Sequence, residues 1–227
     1  MEIIEGIHRV DEASSNIAHS NVYVVINGKE LSIIDTGTSG NAKKTVEYIQ
    51  KMGHQPEDVT AIIITHFHMD HTGSLKELKS MLPNAKVFAH EADADFISGK
   101  KPYPKPKNLL FRAVSSFVKP EAVPVDVALK EDDKVGELIV KYVPGHTPGS
   151  IALLDERRKA LFAGDTLRFD GKKLSAGSEQ FTMDMAQAKE SIKKLSQLDF
   201  DVMLPGHGEP LKTNASVAVK EFAESLK

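Results

Sequence analysis

Residues 61–73 read Ala61-Ile62-Ile63-Ile64-Thr65-His66-Phe67-His68-Met69-Asp70-His71-Thr72-Gly73. An unbroken apolar run that ends abruptly in polar residues predicts a strand buried on both faces, which needs further layers above and below it. The polar cluster carries four metal-ligand side chains, His66, His68, Asp70 and His71. It begins at the carboxyl end of the strand, the edge where α/β sheets place their sites. In an extended or tightly turning chain, residues i and i+2 project to the same side. His66 and His68 can therefore share one ion, while Asp70 and His71 lie past the turn and can reach a second. Without an ion, three imidazoles and a carboxylate in close succession would have to be solvated or buried at a cost.

Outward from this stretch, Ile3 to Val10, Asn21 to Ile26 and Leu31 to Ile34 read as strands, with Asn27-Gly28 as a hairpin signal between the last two. Asp35-Thr36-Gly37 ends the third strand. Ala42 to Met52 has apolar residues at helical spacing and closes on Gly53. A helix from Ser74 to Leu82, stopped by Pro83, and a strand from Lys86 to Ala89 follow the histidine cluster. The second half repeats the scheme. Strands are expected at Val125 to Leu129, Leu138 to Val143, Ser150 to Leu154 and Ala160 to Ala163, then a helix from Asp184 to Leu198, a strand from Val202 to Leu204 and a helix from about Asn214 to Leu226. Strands followed by helix, twice over, predict an α/β fold: a four-layer αββα sandwich of two mixed β-sheets flanked by helices. Residues 98–124 stand apart, because Pro102, Pro104, Pro106, Pro120 and Pro124 interrupt an apolar segment that includes Tyr103, Leu109, Leu110, Phe111, Phe117 and Val118. This is the composition of a flap lying over something.

With 227 residues, one domain over 1–227 is expected, large enough to bury a substantial core. The 29 Lys and Arg against 32 Asp and Glu leave a net charge of −3, which argues against nucleic acid as a partner. There is no cysteine, hence no disulfide, thiolate ligand or cysteine nucleophile. No apolar run approaches the ~18 residues of a membrane span, and Met1 to Gly6 has neither the basic nor the apolar region of a signal peptide. The expectation is a cytoplasmic enzyme acting on a small molecule, with no membrane partner.

Three more strand ends carry a ligand-type residue flanked by glycine: Val143-Pro144-Gly145-His146-Thr147-Pro148-Gly149, Phe162-Ala163-Gly164-Asp165-Thr166 and Leu204-Pro205-Gly206-His207-Gly208. Glycine lets the backbone come close to a site. If the four strand ends converge, they supply five His and two Asp, enough nitrogen and oxygen donors for two metal sites. His8, His19 and His54 have no partner motif and are read as non-ligands, as is His90, which follows the Lys86 strand near the flap.

The set His-x-His-x-Asp-His, Pro-Gly-His-Thr-Pro-Gly, Gly-Asp-Thr and Pro-Gly-His-Gly resembles the metallo-β-lactamase-fold hydrolase superfamily over about Asn21 to Glu209. The resemblance implies a dinuclear centre in which His66, His68 and His146 hold one ion, Asp70, His71 and His207 hold the other, and Asp165 bridges them. Two such ions sharing a water lower its pKa from about 15.7 towards ~7, giving a bridging hydroxide for hydrolysis. Asp70 would orient that hydroxide and pass its proton to the leaving group, and Asp35 resembles the family's outer carboxylate that braces the ligand loop. Zinc is the expected metal, although a His/Asp set also accepts manganese, iron or cobalt.

Within the superfamily, true zinc β-lactamases of the commonest type use a cysteine ligand that this chain lacks. Glyoxalase II shares the ligand pattern but carries a C-terminal helical domain for glutathione. Lactonases place a tyrosine just beyond the bridging aspartate, where Leu167, Arg168 and Phe169 stand here. Arg168 could anchor an anionic or carbonyl group in its place. The reading is therefore a dinuclear hydrolase of an ester, thioester or lactone in the glyoxalase II and lactonase-like branch. An iron-dependent, oxygen-reacting protein on the same cage, a nuclease and a β-lactamase are the alternatives.

Overall fold

The computed structural model describes residues 1–10, 20–104 and 121–226. The first sheet runs β1 (Glu2–Ile4), β2 (Ile7–Arg9), β3 (Tyr23–Asn27), β4 (Glu30–Ile34), β5 (Val59–Ile64), β6 (Lys86–His90) and β7 (Val127–Leu129) in spatial order. Its first four strands are antiparallel neighbours, while β4 to β7 are parallel. The second sheet has the order β14 (Val202–Pro205), β11 (Ala160–Gly164), β10 (Ile151–Asp155), β9 (Leu138–Tyr142) and β8 (Lys134–Val135). Here only β11 and β14 are parallel. Both sheets are thus mixed.

Alternate residues of each central strand enter different cores, which is why their sequences read as continuous apolar runs. On β5, Ala61 and Ile63 face the second sheet, whereas Ile62 and Ile64 pack under α1 (Ala42–Lys51) and α3 (Leu75–Met81). On β11, Ala160 and Phe162 enter the same inter-sheet core. Leu161 and Ala163 turn outward to α5 (Met185–Leu195) and α6 (Ala215–Ser225). Three stacked cores separate four layers in the order helix, sheet, sheet, helix, as the sequence predicts.

Several short elements depart from the expectations. Ile3 to Val10 is a hairpin rather than one strand, since Gly6 at φ +71° turns the chain between β1 and β2. The polar cluster contains a single helical turn, α2 (Met69–Thr72), and a further helix, α4 (Glu91–Ile97), follows β6. Residues after Asp165 form a small two-stranded sheet of β12 (Leu167–Phe169) and β13 (Leu174–Ala176). Residues 105–120 of the expected flap, and His19, lie outside the described residues. At the near end of that segment, the Tyr103 ring meets Phe67 edge-on at 5.3 Å between centroids, so it touches the histidine loop.

Candidate metal centre

The site forms where four loops leave the same edge of the sandwich. β5 delivers His66 and His68 in extended chain, and His68 (φ −61°, ψ 149°) then starts the turn of α2 that carries Asp70 and His71. From the second sheet come His146 between β9 and β10, Asp165 after β11, and His207 after β14. The loop of His207 is held by the first sheet. Tyr23 donates its hydroxyl to the Pro205 carbonyl at 2.8 Å, and the Asn21 amide donates to the carbonyls of Pro205 and Gly208, each at 2.9 Å. All seven residues expected from the sequence come together.

They form overlapping sets of closely spaced donor atoms: His66, His68 and His146; His66, His71 and Asp165; Asp70, His71 and His207. His68 Nδ1 lies 3.1 Å from His66 Nε2 and 2.9 Å from His146 Nε2. Asp70 Oδ2 is 2.9 Å from His207 Nε2 and 3.7 Å from His71 Nε2. The Asp165 carboxylate sits between the groups, its Oδ2 3.5 Å from His146 Nε2 and 3.4 Å from His207 Nε2, its Oδ1 3.4 Å from His71 Nε2.

The hydrogen bonds around the rings fix where the lone pairs point. Thr65 donates its hydroxyl to Asp35 Oδ2 at 2.8 Å, so at 3.1 Å it accepts from His66 Nδ1–H. Thr182 donates to the Ser178 carbonyl at 2.8 Å and accepts from His146 Nδ1–H at 3.1 Å. His71 Nδ1–H donates to Asp35 Oδ2 at 2.7 Å. With Nδ1 protonated, the neutral rings of His66 and His146 turn a bare Nε2 inward, and all three rings have the outer hydrogen bond of a metal-ligating histidine.

The charges agree. Burial, reinforced by the neighbouring imidazoles, drives His66 well below the usual histidine range and His68 down to about 3, so both are neutral donors. Burial would lower His71 too, but Asp35, Asp70 and Asp165 outweigh it and push it well above that range: this position calls for positive charge. Burial works to raise the Asp165 carboxyl, yet the surrounding imidazoles, His71 foremost, hold it well below the carboxylate range. His71 Nε2 and Asp165 Oδ1 are buried and lack a hydrogen-bond partner, facing each other at a distance too long for a good hydrogen bond. Two orphaned buried donor atoms beside a set of inward lone pairs fit a divalent cation.

Asp35 braces this loop as expected, and it does more than cap a turn. It takes up φ +58°, accepts the Thr65 N–H at 2.8 Å and fixes His71. Gly206 is needed for a steric reason, since a Cβ there would lie 2.5 Å from Asp165 Oδ1 and 2.8 Å from His71 Cε1. Gly206→Ala is expected to cost about 1–3 kcal/mol of stability, as overpacking does, and to lower metal content per chain; calorimetry and elemental analysis on the purified variant check both.

The sequence reading missed Asp93, which is fully buried in the first turn of α4. It accepts from Phe67 N–H (3.0 Å), Gly149 N–H (2.7 Å) and the Thr147 hydroxyl (2.7 Å), joining the loop of His66 and His68 to that of His146. Its only sequence signal is an acidic residue just after a strand end. The other histidines among the described residues stand apart from the centre. His90 accepts from Ala92 N–H at 3.2 Å and stacks on Tyr142, His8 contacts Tyr48, and His54 pairs with Asp58. Arg168 lines a cavity of about 310 Å³ that borders His207.

This fold and this cage define a metallo-hydrolase type of protein. The chain belongs to the metallo-beta-lactamase superfamily, whose family model matches residues 17–207. It is similar to the probable metallo-hydrolase YflN of Bacillus subtilis, 28% identical, with 92% of this chain and 86% of that one covered. It is 32% identical to hydroxyacylglutathione hydrolase of Francisella tularensis subsp. holarctica over 71% of this chain, and spans only 53% of that relative's length. Among solved structures, TTHA1623 in a di-iron-bound form is 28% identical with a TM-score of 0.69, covering 87% of this chain and 91% of that one. No helix among the described residues is long and apolar enough to cross a membrane.

Proposed function

We propose that this protein hydrolyses an ester, thioester or lactone of a small substrate in the cytoplasm with the help of two divalent ions. One observation carries the reading. The Asp165 carboxylate lies between two groups of inward-facing donors, with its buried Oδ1 and the opposing His71 Nε2 lacking hydrogen-bond partners. His66, His68 and His146 would hold one ion, Asp70, His71 and His207 the other, and Asp165 would touch both. Such ions supply Lewis acidity at a carbonyl and make water acidic near neutral pH. Asp70 is the open member of the cage, its side chain 31% exposed against 8% for Asp165. From there it can orient an attacking water and hand the proton onward to the leaving group. Ser20 steadies it by donating its hydroxyl to the Asp70 carbonyl.

Zinc suits the all-His and Asp donor set and needs no redox partner. The relative solved with two irons makes iron the second reading. Elemental analysis of the protein as purified decides between them, and oxygen consumption by an iron form would favour the redox alternative. Exhaustive chelation is expected to abolish hydrolysis across thioesters, lactones and p-nitrophenyl esters, with recovery on adding back the metal. Activity that persists without metal would overturn the proposal.

A further inference from the structure

The cavity beside His207 has a chemistry of its own. It is walled by Phe169, Ser175 and Ser178, with Arg168 and Asp170 as its charged members and His207 also in its lining. A molecule filling it touches a member of the candidate metal centre. Arg168 stands on β12 opposite Ser175 of β13 and is partly buried. Among the described residues its guanidinium has neither a carboxylate nor a hydrogen-bond partner. Asp170 does not serve it, because its Oδ1 already accepts the N–H groups of Lys172 and Lys173, both at 2.8 Å, across the turn between β12 and β13. The position of β12 is firm: Glu209 N–H donates to the Phe169 carbonyl at 2.7 Å, and a side chain at Gly208 would strike that same oxygen. The strand that carries Arg168 is thereby tied to the loop that carries His207.

A partly buried guanidinium left without a counter-charge beside a reaction centre is a binding group waiting for an anion. We propose that Arg168 selects substrates bearing a carboxylate, held in this cavity while the scissile carbonyl lies against the metal centre. The cavity offers one cation and places Asp170 close by, which suits a single negative charge better than a phosphate dianion. The inference rests on the hydrolase reading for the word substrate, but the anion site can be tested apart from it.

Glutaramate and glutaramide are near-equal in shape and differ by one negative charge. Their affinities for the protein as purified can be measured by calorimetry or ligand-observed NMR. The wild type should bind glutaramate at least about 10-fold more tightly, the worth of a modest charge-assisted contact. In Arg168→Gln the preference should fall below about 3-fold, and Arg168→Lys should recover part of it. Equal binding of the two probes by the wild type would overturn the proposal. So would a preference that survives in Arg168→Gln, since the charge would then be read by the metals. If the preference depends on Arg168 while no ester is hydrolysed, the anion site stands and the hydrolase reading falls; hydrolysis without the preference gives the reverse.

Discussion

Asp165→Ala is expected to lose hydrolytic turnover by about 10³-fold or more and to hold at most one ion per chain. Outer hydrogen-bond partners of metal ligands are worth about 10–100-fold, and Asp165 is a nearer participant. Its two oxygens face His146, His207 and His71 within 3.5 Å. Removing the carboxylate leaves those three imidazoles without the negative charge between them, so the two cations would repel each other unshielded. The fold should survive, because Asp165 lies after the end of β11 and the hydrophobic residues of that strand, Leu161 and Phe162 among them, are untouched. Circular dichroism would read the fold, elemental analysis the stoichiometry, and thermal melts the linkage. An ion at 100 times its Kd stabilises by about 2.7 kcal/mol, and most of the gain from the second ion should vanish. Wild-type turnover with two ions per chain would remove Asp165 from its shared role.

The layers and all seven members of the cage could be read from the sequence because each is announced locally. A strand buried on both sides has an unmistakable apolar run, four of the seven crowd into the six residues 66–71 just past such a run, and the other three sit at strand ends beside glycine, at Gly145-His146, Gly164-Asp165 and Gly206-His207. What escaped is short or depends on distant partners. α2 spans four residues and β12 three, too few for any periodicity to register. The break at Gly6 came from a single positive φ. Asp93 was invisible because its meaning lies in residues 26, 54 and 56 positions away in the chain. Arg168 could be singled out from the sequence, but the cavity beside His207 could not, because its walls belong to the small β12–β13 sheet, which had no signature of its own.

Asp93→Ala tests whether the two halves of the cage are held in register from behind. The substitution strands the buried N–H groups of Phe67 and Gly149, at about 1–3 kcal/mol for each group left unsatisfied, while the Thr147 hydroxyl keeps only its 2.9 Å hydrogen bond with Ser150. Partial relaxation should leave a net loss of about 3–5 kcal/mol. Since Phe67 lies between His66 and His68, and Thr147 adjoins His146, the expected signature is weaker metal binding at those three histidines rather than unfolding alone. Asp93→Asn keeps an acceptor oxygen and should be milder, which separates loss of the tie from loss of charge. The pH dependence separates them further. Burial pushes the Asp93 carboxyl up to about 6, against the donors that favour its ionised form. An acid whose folded pKa is raised contributes stability while protonated and loses it as pH rises through the folded value. Between pH 4 and pH 7 the wild type should therefore lose roughly 2 kcal/mol relative to Asp93→Asn, measured by denaturant melts at matched metal concentration. If Asp93→Ala matches the wild type in stability within about 0.5 kcal/mol and in metal content, the loops are positioned by their own strands and Asp93 is dispensable. A tie across the two sheets at this point would explain why a carboxyl group is buried where three donors converge: the first sheet supplies four of the candidate ligands and the second sheet three, and the donor sets they form draw on both.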